Sequence, residues 1–269
     1  MNCYRLTQHF ITLFLVNAIG LGGDHPSKAY TYAFGGIIRG DQTKKQIALV
    51  FTGGDFGEGG STIREILHQR KILSSFFFTG DFYRNKAFNS TINDLIQDGH
   101  YLGAHSDKHL LYCSWEKRDT LLVSHQQFYE DLFANYAELK KFGIEKDEAP
   151  FFMPPYEWYN DTISLWCNRE GIQLINYSPG TLSNADYTIP SMYNYRSTET
   201  IFRSIINFEE KEKTGLNGFI LLLHIGTHPD RTDKFYFRLG ELIDVLALKG
   251  YHFVRIDQLL QPPSGVKCP

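Results

Sequence analysis

The sequence predicts an α/β fold, a distorted (β/α) barrel of about seven parallel strands surrounded by helices. Short runs of consecutive apolar residues recur along the 269-residue chain, as expected for parallel strands that are covered on both faces. Longer amphipathic stretches separate these runs, and most of them stop at a glycine, a common residue at helix C-termini. The repeated order of strand, helix and glycine indicates right-handed βαβ units, and seven candidate strands favour a barrel over an open sheet.

The predicted elements alternate along the chain. The strands are Ile47–Phe51, Ser75–Phe78, Tyr101–Ala104, Phe151–Met153, Ile172–Ile175, Phe219–Leu223 and His252–Ile256. The helices are Thr62–Arg70, Phe88–Asp98, Ser124–Phe142, Thr162–Glu170 and Phe235–Lys249. No linker, repeat or change of composition marks a second domain, so residues 46–262 are predicted to form one barrel.

The two ends of the chain are predicted to lie outside this barrel. Arg5 precedes an apolar run from Phe10 to Leu21, and two glycines follow the run. This order is typical of a secretory signal peptide, and the run is shorter than the ~20 residues of a membrane span. Residues 1–23 are therefore interpreted as a signal peptide, with a buried first helix or an uncleaved anchor as alternatives. Residues 24–45 are a lead-in and residues 263–269 a tail.

Composition bears on location and partners. An exported protein, periplasmic or extracellular, is expected, with no membrane span in the mature chain. The formal net charge is −3 and the pI about 6.4, whereas nucleic acids and anionic membranes select clustered positive charge, so neither is expected as a partner. The four cysteines lack the short paired spacings of zinc knuckles and Cys-x-x-Cys redox sites. The sequence gives no indication of the oligomeric state.

Candidate catalytic residues collect just after the predicted strands. In parallel barrels the functional groups lie at the carboxyl ends of the strands. The residues found there are Asp55 and Glu58 after the first strand, His105 and His109 after the third, and His224 after the sixth. We therefore expect these side chains to meet at one end of the barrel.

His105 and His109 are predicted to bind a divalent metal, with zinc as the expected ion. Four residues apart, the two imidazoles would share one face of a helical turn and could converge on one ion. One carboxylate would complete a set of ligands that leaves positions open for water, and Asp55, on a glycine-rich loop, is the nearest candidate. Histidines at this spacing also occur as structural residues, but the position after a strand and beside an acidic loop favours the metal.

Other polar and aromatic residues at the strand ends allow two interpretations each. Pro154-Pro155 stiffens its loop and fixes Tyr156, which makes either a rigid turn or a backbone N–H that is offered to an oxyanion. His224 fits a buried core histidine and a general acid equally well. Trp158, Tyr159, Tyr156 and Tyr177 could wall a sugar-binding cleft, although aromatic residues this frequent also build cores.

The stretch from about Ile47 to Leu260 resembles the polysaccharide deacetylases, carbohydrate esterase family 4. Gly99–His109 is similar to the family's second motif, which carries two metal-binding histidines. Met153–Tyr156 is similar to the third motif, and Leu221–His224 to the fifth, whose histidine is a general acid. The resemblance implies a distorted (β/α) barrel.

The first and third motifs depart from the family pattern. The family's first motif reads Thr-Phe-Asp-Asp-Gly, with one Asp as the catalytic base and the next as a metal ligand. Alignment on the first strand puts Thr52 and Gly53 at those positions, and the acids Asp55 and Glu58 come later in the loop. Met153 replaces an Arg that orients the base and cannot form its hydrogen bonds. The family's supporting Asp for the catalytic His has Asp186 as its closest acidic substitute.

The resemblance implies a metal-dependent hydrolase that removes N- or O-linked acetyl groups from a polysaccharide or oligosaccharide. The resemblance and the residues at the strand ends together predict these roles: metal ligation by Asp55, His105 and His109, base catalysis by Glu58, oxyanion stabilisation by Tyr156, acid catalysis by His224, and substrate binding by Trp158, Tyr159, Tyr177 and Asp186. The missing aspartates and arginine leave an alternative, a catalytically impaired glycan-binding module with the same fold.

Overall fold

The computed structural model describes residues 30–260. Seven parallel strands form a sheet that curls into a half-barrel, in the order β7-β6-β5-β4-β3-β8, and β9 also pairs with β3. These strands are β3 (Gln46–Gly53), β4 (Ser75–Phe78), β5 (Tyr101–Ala104), β6 (Phe151–Phe152), β7 (Gln173–Leu174), β8 (Phe219–His224) and β9 (His252–Val254). They match the seven predicted strands to within two residues at each end, so the predicted barrel class is confirmed.

Helices cover the outside of this sheet. They are α1 (Gly60–Arg70), α2 (Gly80–Arg84), α3 (Asn89–Gln97), α4 (His125–Lys141), α5 (Asp161–Arg169), α6 (Thr198–Lys211), α7 (Leu239–Leu248) and α8 (Ile256–Leu259). The five predicted helices correspond to α1, α3, α4, α5 and α7. The stretch predicted to begin at Phe235 starts as a 3₁₀ turn, Phe235–Arg238, before α7. The predictions missed the short helices α2 and α8, and also α6, which Ser197 caps and which buries Ile201 and Ile205.

β3 and β8 form the centre of the core. Apart from the terminal Gln46 and His224, every residue of these two strands is buried. This is the environment that a continuous apolar run requires, since both faces of a parallel strand are covered. β4 pairs with the second half of β3 and β9 with its first half, so the carboxyl end of β3 lies beside β4 and β8.

A hairpin and a short segment bridge the gap between the outer strands β7 and β8. The hairpin consists of β1 (Thr31–Ala33) and β2 (Gly36–Arg39) and falls within the predicted lead-in. The backbone N–H of Asn176 donates to the Ile37 carbonyl at 2.8 Å. The Ser178 N–H donates to the Ile220 carbonyl at 3.0 Å, and the Ile220 N–H returns a bond to the Ser178 hydroxyl at 2.9 Å. These contacts close the curl of the sheet beside β8.

The predicted signal peptide and the tail at 263–269 lie outside the described residues. Within residues 30–260, no helix has the length and apolar character needed to cross a membrane. Cys113 and Cys167 are buried free thiols, which agrees with their lack of paired spacing.

Candidate active site

The carboxyl ends of β3, β5 and β8 open into one cleft of about 690 Å³. Five residues that the sequence predicted for the site line this cleft: Asp55, His105, His109, Tyr156 and His224. They come from loops that are far apart in the chain, and the parallel sheet brings the loops together because its strands end at one edge.

His105 and His109 meet on an irregular loop, so the predicted helical turn is wrong. Ser106 and His109 have φ angles of 71° and 53°, which a right-handed helix does not contain. The two imidazole centroids nevertheless lie 5.0 Å apart. α4 holds the loop in place: Asn135 Oδ1 accepts the His105 N–H at 2.7 Å, and Asp131 Oδ2 accepts the Ser106 hydroxyl at 2.6 Å.

Both imidazoles are in the neutral form that a metal ligand needs. His105 Nδ1 lies 2.8 Å from the Met153 carbonyl oxygen, which can only accept, so Nδ1 carries the hydrogen and the Nε2 lone pair is left available. Burial, together with the neighbouring His109, holds the pKa of His105 well below its usual range. Burial also lowers the pKa of His109 to about 4. Near neutral pH, neither ring has to lose a proton before it binds an ion.

Asp55 is exposed on the same cleft, and its negative charge acts to raise the pKa of His109. Across residues 30–260, however, no group of three His, Cys, Asp or Glu side chains comes close enough to hold a metal. The two imidazoles are therefore suitable ligands for a divalent ion. The third ligand, Asp55, stays a prediction.

His224 forms a hydrogen-bonded pair with Asp186. Its Nδ1 lies 2.6 Å from Asp186 Oδ1, and its backbone N–H donates to Asp186 Oδ2 at 2.9 Å. Burial by itself would lower the pKa of His224, but the Asp186 charge and hydrogen bond outweigh it, so the pKa is raised. Asp186 is 2% exposed and lies behind the histidine, outside the cleft lining. Asp186 thus contacts His224, as expected for a substitute of the family's supporting Asp, and does not lie where the predicted contact with substrate would need it.

Glu58 links two loops through hydrogen bonds and does not line the cleft. One carboxylate oxygen, Oε1, accepts both the Thr227 N–H and the Lys234 ammonium at 2.9 Å. These bonds join the loop after β3 to the segment after β8. Because Glu58 is engaged in these bonds and lies outside the cleft lining, the structure does not place it where a catalytic base has to be.

Tyr156 and one unpredicted tryptophan form an aromatic wall of the cleft. The Tyr156 ring is 44% exposed, and its centroid lies 4.3 Å from that of His109. Trp115 is 55% exposed and meets Tyr156 edge to face at 5.7 Å. Its sequence position, in a loop far beyond the end of β5, gave no signal of this role.

The three aromatic residues that were predicted to bind substrate do not line the cleft. Tyr159 is 1% exposed and donates its hydroxyl to the Ala33 carbonyl at 2.8 Å, so the hairpin covers it and the prediction is wrong. Trp158 donates Nε1–H to a backbone carbonyl, packs against the Arg118 guanidinium and supports Trp115 from behind at 5.2 Å. Tyr177 is half-buried against the core.

Thr52 and Gly53 are the residues that alignment on the first strand put at the family's first-motif aspartates. Thr52 lines the cleft, and its hydroxyl oxygen is buried without a hydrogen-bond partner among the described residues. A Cβ atom at Gly53 would lie 2.7 Å from Ile225 Cγ2 and 2.9 Å from the Phe78 ring. An aspartate therefore does not fit at position 53 unless these neighbours move.

Glu157 lines the cleft but was not predicted from the sequence as a site residue. It is half-buried, directly follows Tyr156, and burial raises its pKa to about 7. The one available signal was its position in the loop after β6, where a carboxylate follows the rigid Pro154-Pro155 pair.

Comparisons with known proteins agree with this architecture. A family model described as polysaccharide deacetylase matches residues 39–175. An uncharacterized 30.6 kDa protein of Geobacillus stearothermophilus is 24% identical over 227 residues, which cover 84% of this chain and 75% of that protein. Among solved structures, the Bc1960 peptidoglycan N-acetylglucosamine deacetylase has a TM-score of 0.66 at 19% identity, covering 83% of this chain and 92% of that one. BA3943 of Bacillus anthracis, called a pseudoenzyme of carbohydrate esterase family 4, has a TM-score of 0.65 at 17% identity, covering 86% and 70%.

Proposed function

Because the chain belongs to the polysaccharide deacetylase family, we propose that it is a metal-dependent hydrolase that removes N- or O-linked acetyl groups from a polysaccharide or oligosaccharide. One observation carries the proposal: the neutral His105 and His109 imidazoles meet in the same cleft as the hydrogen-bonded His224–Asp186 pair. A potential metal site beside a proton donor is the combination that hydrolysis of an amide or ester needs.

His105 and His109 would hold the ion, with Asp55 as the third ligand and zinc as the expected metal. A divalent ion in such a site lowers the pKa of water towards ~7 and polarises a carbonyl group. The protein's contribution is to keep both imidazoles neutral by burial and to orient His105 through the Met153 carbonyl.

His224 would protonate the nitrogen or oxygen that leaves. Asp186 orients its ring through Nδ1, so Nε2 is the atom that can face the substrate. The raised pKa keeps more of the imidazole protonated near neutral pH. The backbone N–H of Tyr156, which bonds to no other residue in the described part of the chain, is free to donate to the developing oxyanion.

The substrate class follows from the cleft wall and the relatives. Exposed rings of Trp115 and Tyr156 offer flat apolar faces on which sugar rings can stack. The structural relative Bc1960 is named a peptidoglycan N-acetylglucosamine deacetylase, which supports an acetylated glycan as the substrate here. Such a polymer lies outside the cytoplasm, in keeping with the predicted signal peptide.

A glycan-binding module without catalysis is the second candidate. Thr52 and Gly53 replace the family's aspartates, and the described residues form no three-ligand metal group. The similarity to a pseudoenzyme of this family supports the same candidate. The aromatic wall would serve binding in either case.

Acetate release separates the two candidates. The purified full-length protein is loaded with Zn²⁺ or Co²⁺ and incubated with acetylated chitooligosaccharides and with acetylated xylan, and free acetate is measured. Release of acetate supports the hydrolase, whereas binding without release from either substrate supports the module.

Replacement of the histidines tests the metal assignment. His105→Ala and His109→Ala should each lose bound metal, as measured by elemental analysis, and lose acetate release. His252→Ala, at an exposed position on β9, is the matched control and should keep both. Full metal content and activity in the His105 and His109 variants would refute the assignment.

A further inference from the structure

The cleft contains one carboxylate with no assigned role. Asp55, Asp81 and Glu157 are the acidic residues that line it. Asp81 is ion-paired with Arg84 at 2.6 Å and with Lys108 at 2.5 Å, and Asp55 is the predicted metal ligand. The Glu157 side chain forms no hydrogen bond or ion pair with any residue between 30 and 260, so it is available for chemistry.

The backbone at Glu157 is strained in a way that a glycine would relieve. Tyr156 and Glu157 have φ angles of 58° and 52°, two consecutive left-handed residues that both carry a Cβ. The turn is fixed from both sides: the Glu157 N–H donates to the Pro154 carbonyl at 3.1 Å, and Asn176 Nδ2 donates to the Glu157 carbonyl at 2.8 Å. Strain of this kind clusters at functional sites, which supports a functional role for this turn.

The charge of the Glu157 carboxylate interacts with three ionisable groups: His224 at the end of β8, the Asp186 carboxylate behind that histidine, and the Tyr177 hydroxyl. Burial raises the pKa of Glu157; the positive charge of His224 acts to lower it and Asp186 to raise it, with a result of about 7. A carboxylate of this basicity, in a cleft with a histidine acid, matches what proton transfer near neutral pH requires.

We propose that Glu157 is the general base of the hydrolysis, a step that rests on the proposed deacetylase function. Its carboxylate takes a proton from water while the water oxygen bonds to the acetyl carbonyl carbon. His224 then gives its proton to the leaving nitrogen or oxygen as the bond from that atom to the carbonyl carbon breaks. Acetate leaves, and the proton on Glu157 returns to His224 through solvent, so that one water is consumed per acetyl group.

Two variants test this role, because they disturb the backbone differently. Glu157→Gln keeps the shape but cannot accept the proton, and Glu157→Gly suits the left-handed backbone and removes the side chain. Both should lower kcat/KM for acetate release by about 100-fold or more. In the wild type, kcat/KM should rise with pH through a value near 7, and this acid limb should vanish in Glu157→Gln.

Controls separate catalysis from stability. Lys71→Gly replaces a left-handed residue (φ 53°) that follows α1 and lies far from the cleft, so this variant should keep full activity. The melting temperatures of Lys71→Gly and Glu157→Gly should not be lower than that of the wild type. In Glu157→Gln, the pKa of His224, followed by NMR, should fall because a negative neighbour is lost. This readout does not depend on turnover.

The outcomes distinguish the two proposals. If the wild type releases acetate and both Glu157 variants keep its kcat/KM and acid limb, Glu157 is not the base and the deacetylase function stands. An unchanged His224 pKa in Glu157→Gln would likewise overturn the arrangement. If the wild type releases no acetate from any substrate, the function fails and the base role fails with it.

Discussion

At the scale of single residues, the pair formed by His224 and Asp186 controls the proton that the leaving group needs. The sequence predicted His224 from its position at a strand end and named Asp186 as the closest acid. The family resemblance offered Asp186 as the substitute for the Asp that supports this histidine, and the 2.6 Å bond agrees with that expectation. Spacing alone did not predict the bond, because Asp186 reaches the histidine from a 3₁₀ turn, Ser183–Tyr187, with no periodic pattern.

Asp186→Asn should weaken catalysis and shift its pH dependence. The Asp186 charge raises the pKa of His224, so its removal lowers that pKa, and the loss of activity at high pH should begin at a lower pH. The expected decrease in kcat/KM is about 100-fold, measured by acetate release between pH 5 and pH 9. Asp147→Asn, an exposed site far from the cleft, is the control. If the activity of Asp186→Asn decreased at the same high pH as that of the wild type, the role of Asp186 in raising the pKa of His224 would be contradicted.

At the scale of elements, periodic patterns predicted strands and long helices well, and irregular loops poorly. The apolar run of β8 and the amphipathic run of α4 identify their elements directly, since burial on one or both faces fixes the pattern. The loop between β5 and α4 has no such pattern. Asp131 and Asn135 of α4 hold its left-handed Ser106 and the neighbouring His105, and these contacts cannot be predicted from a spacing of four residues.

The capping box of α4 gives a stability prediction at this scale. The Ser124 hydroxyl accepts the Gln127 N–H at 3.2 Å, and the Gln127 side chain accepts the Ser124 N–H at 2.8 Å. Ser124→Ala should lower the free energy of unfolding by about 1 kcal/mol, measured by urea denaturation. Ser61→Ala, an exposed site in α1 with no capping contact, should change it little. Equal effects in the two variants would refute the capping contribution.

At the scale of the whole molecule, the parallel sheet and its class followed from the sequence, while the closure of the curl did not. Repeated βαβ units predict parallel strands that are joined by right-handed crossovers. The bridge beside β8 depends on single hydrogen bonds from Asn176 and Ser178, in a segment that follows the two-residue strand β7. Single hydrogen bonds of this kind produce no recognisable pattern in the composition of the sequence or in the spacing of its residues.

Ser178→Ala should test how much this bridge stabilises the fold. The Ser178 hydroxyl donates to the Ile38 carbonyl at 2.6 Å and accepts from the buried Ile220 N–H at 2.9 Å. Its removal leaves that N–H without a partner, which costs about 1–3 kcal/mol. We expect a lower melting temperature in calorimetry, whereas Ser61→Ala should melt like the wild type. A wild-type melting temperature for Ser178→Ala would show that the closure adds little.

The close packing around Gly53 restricts how this cleft can change. A new carboxylate at that position would run into Ile225 and Phe78 before it reached a substrate, so no single replacement restores the family's usual acid there. In the family pattern this second position of the motif supplies a metal ligand, so the packing around Gly53 leaves that ligand to be supplied from another position, for which Asp55 is the predicted residue.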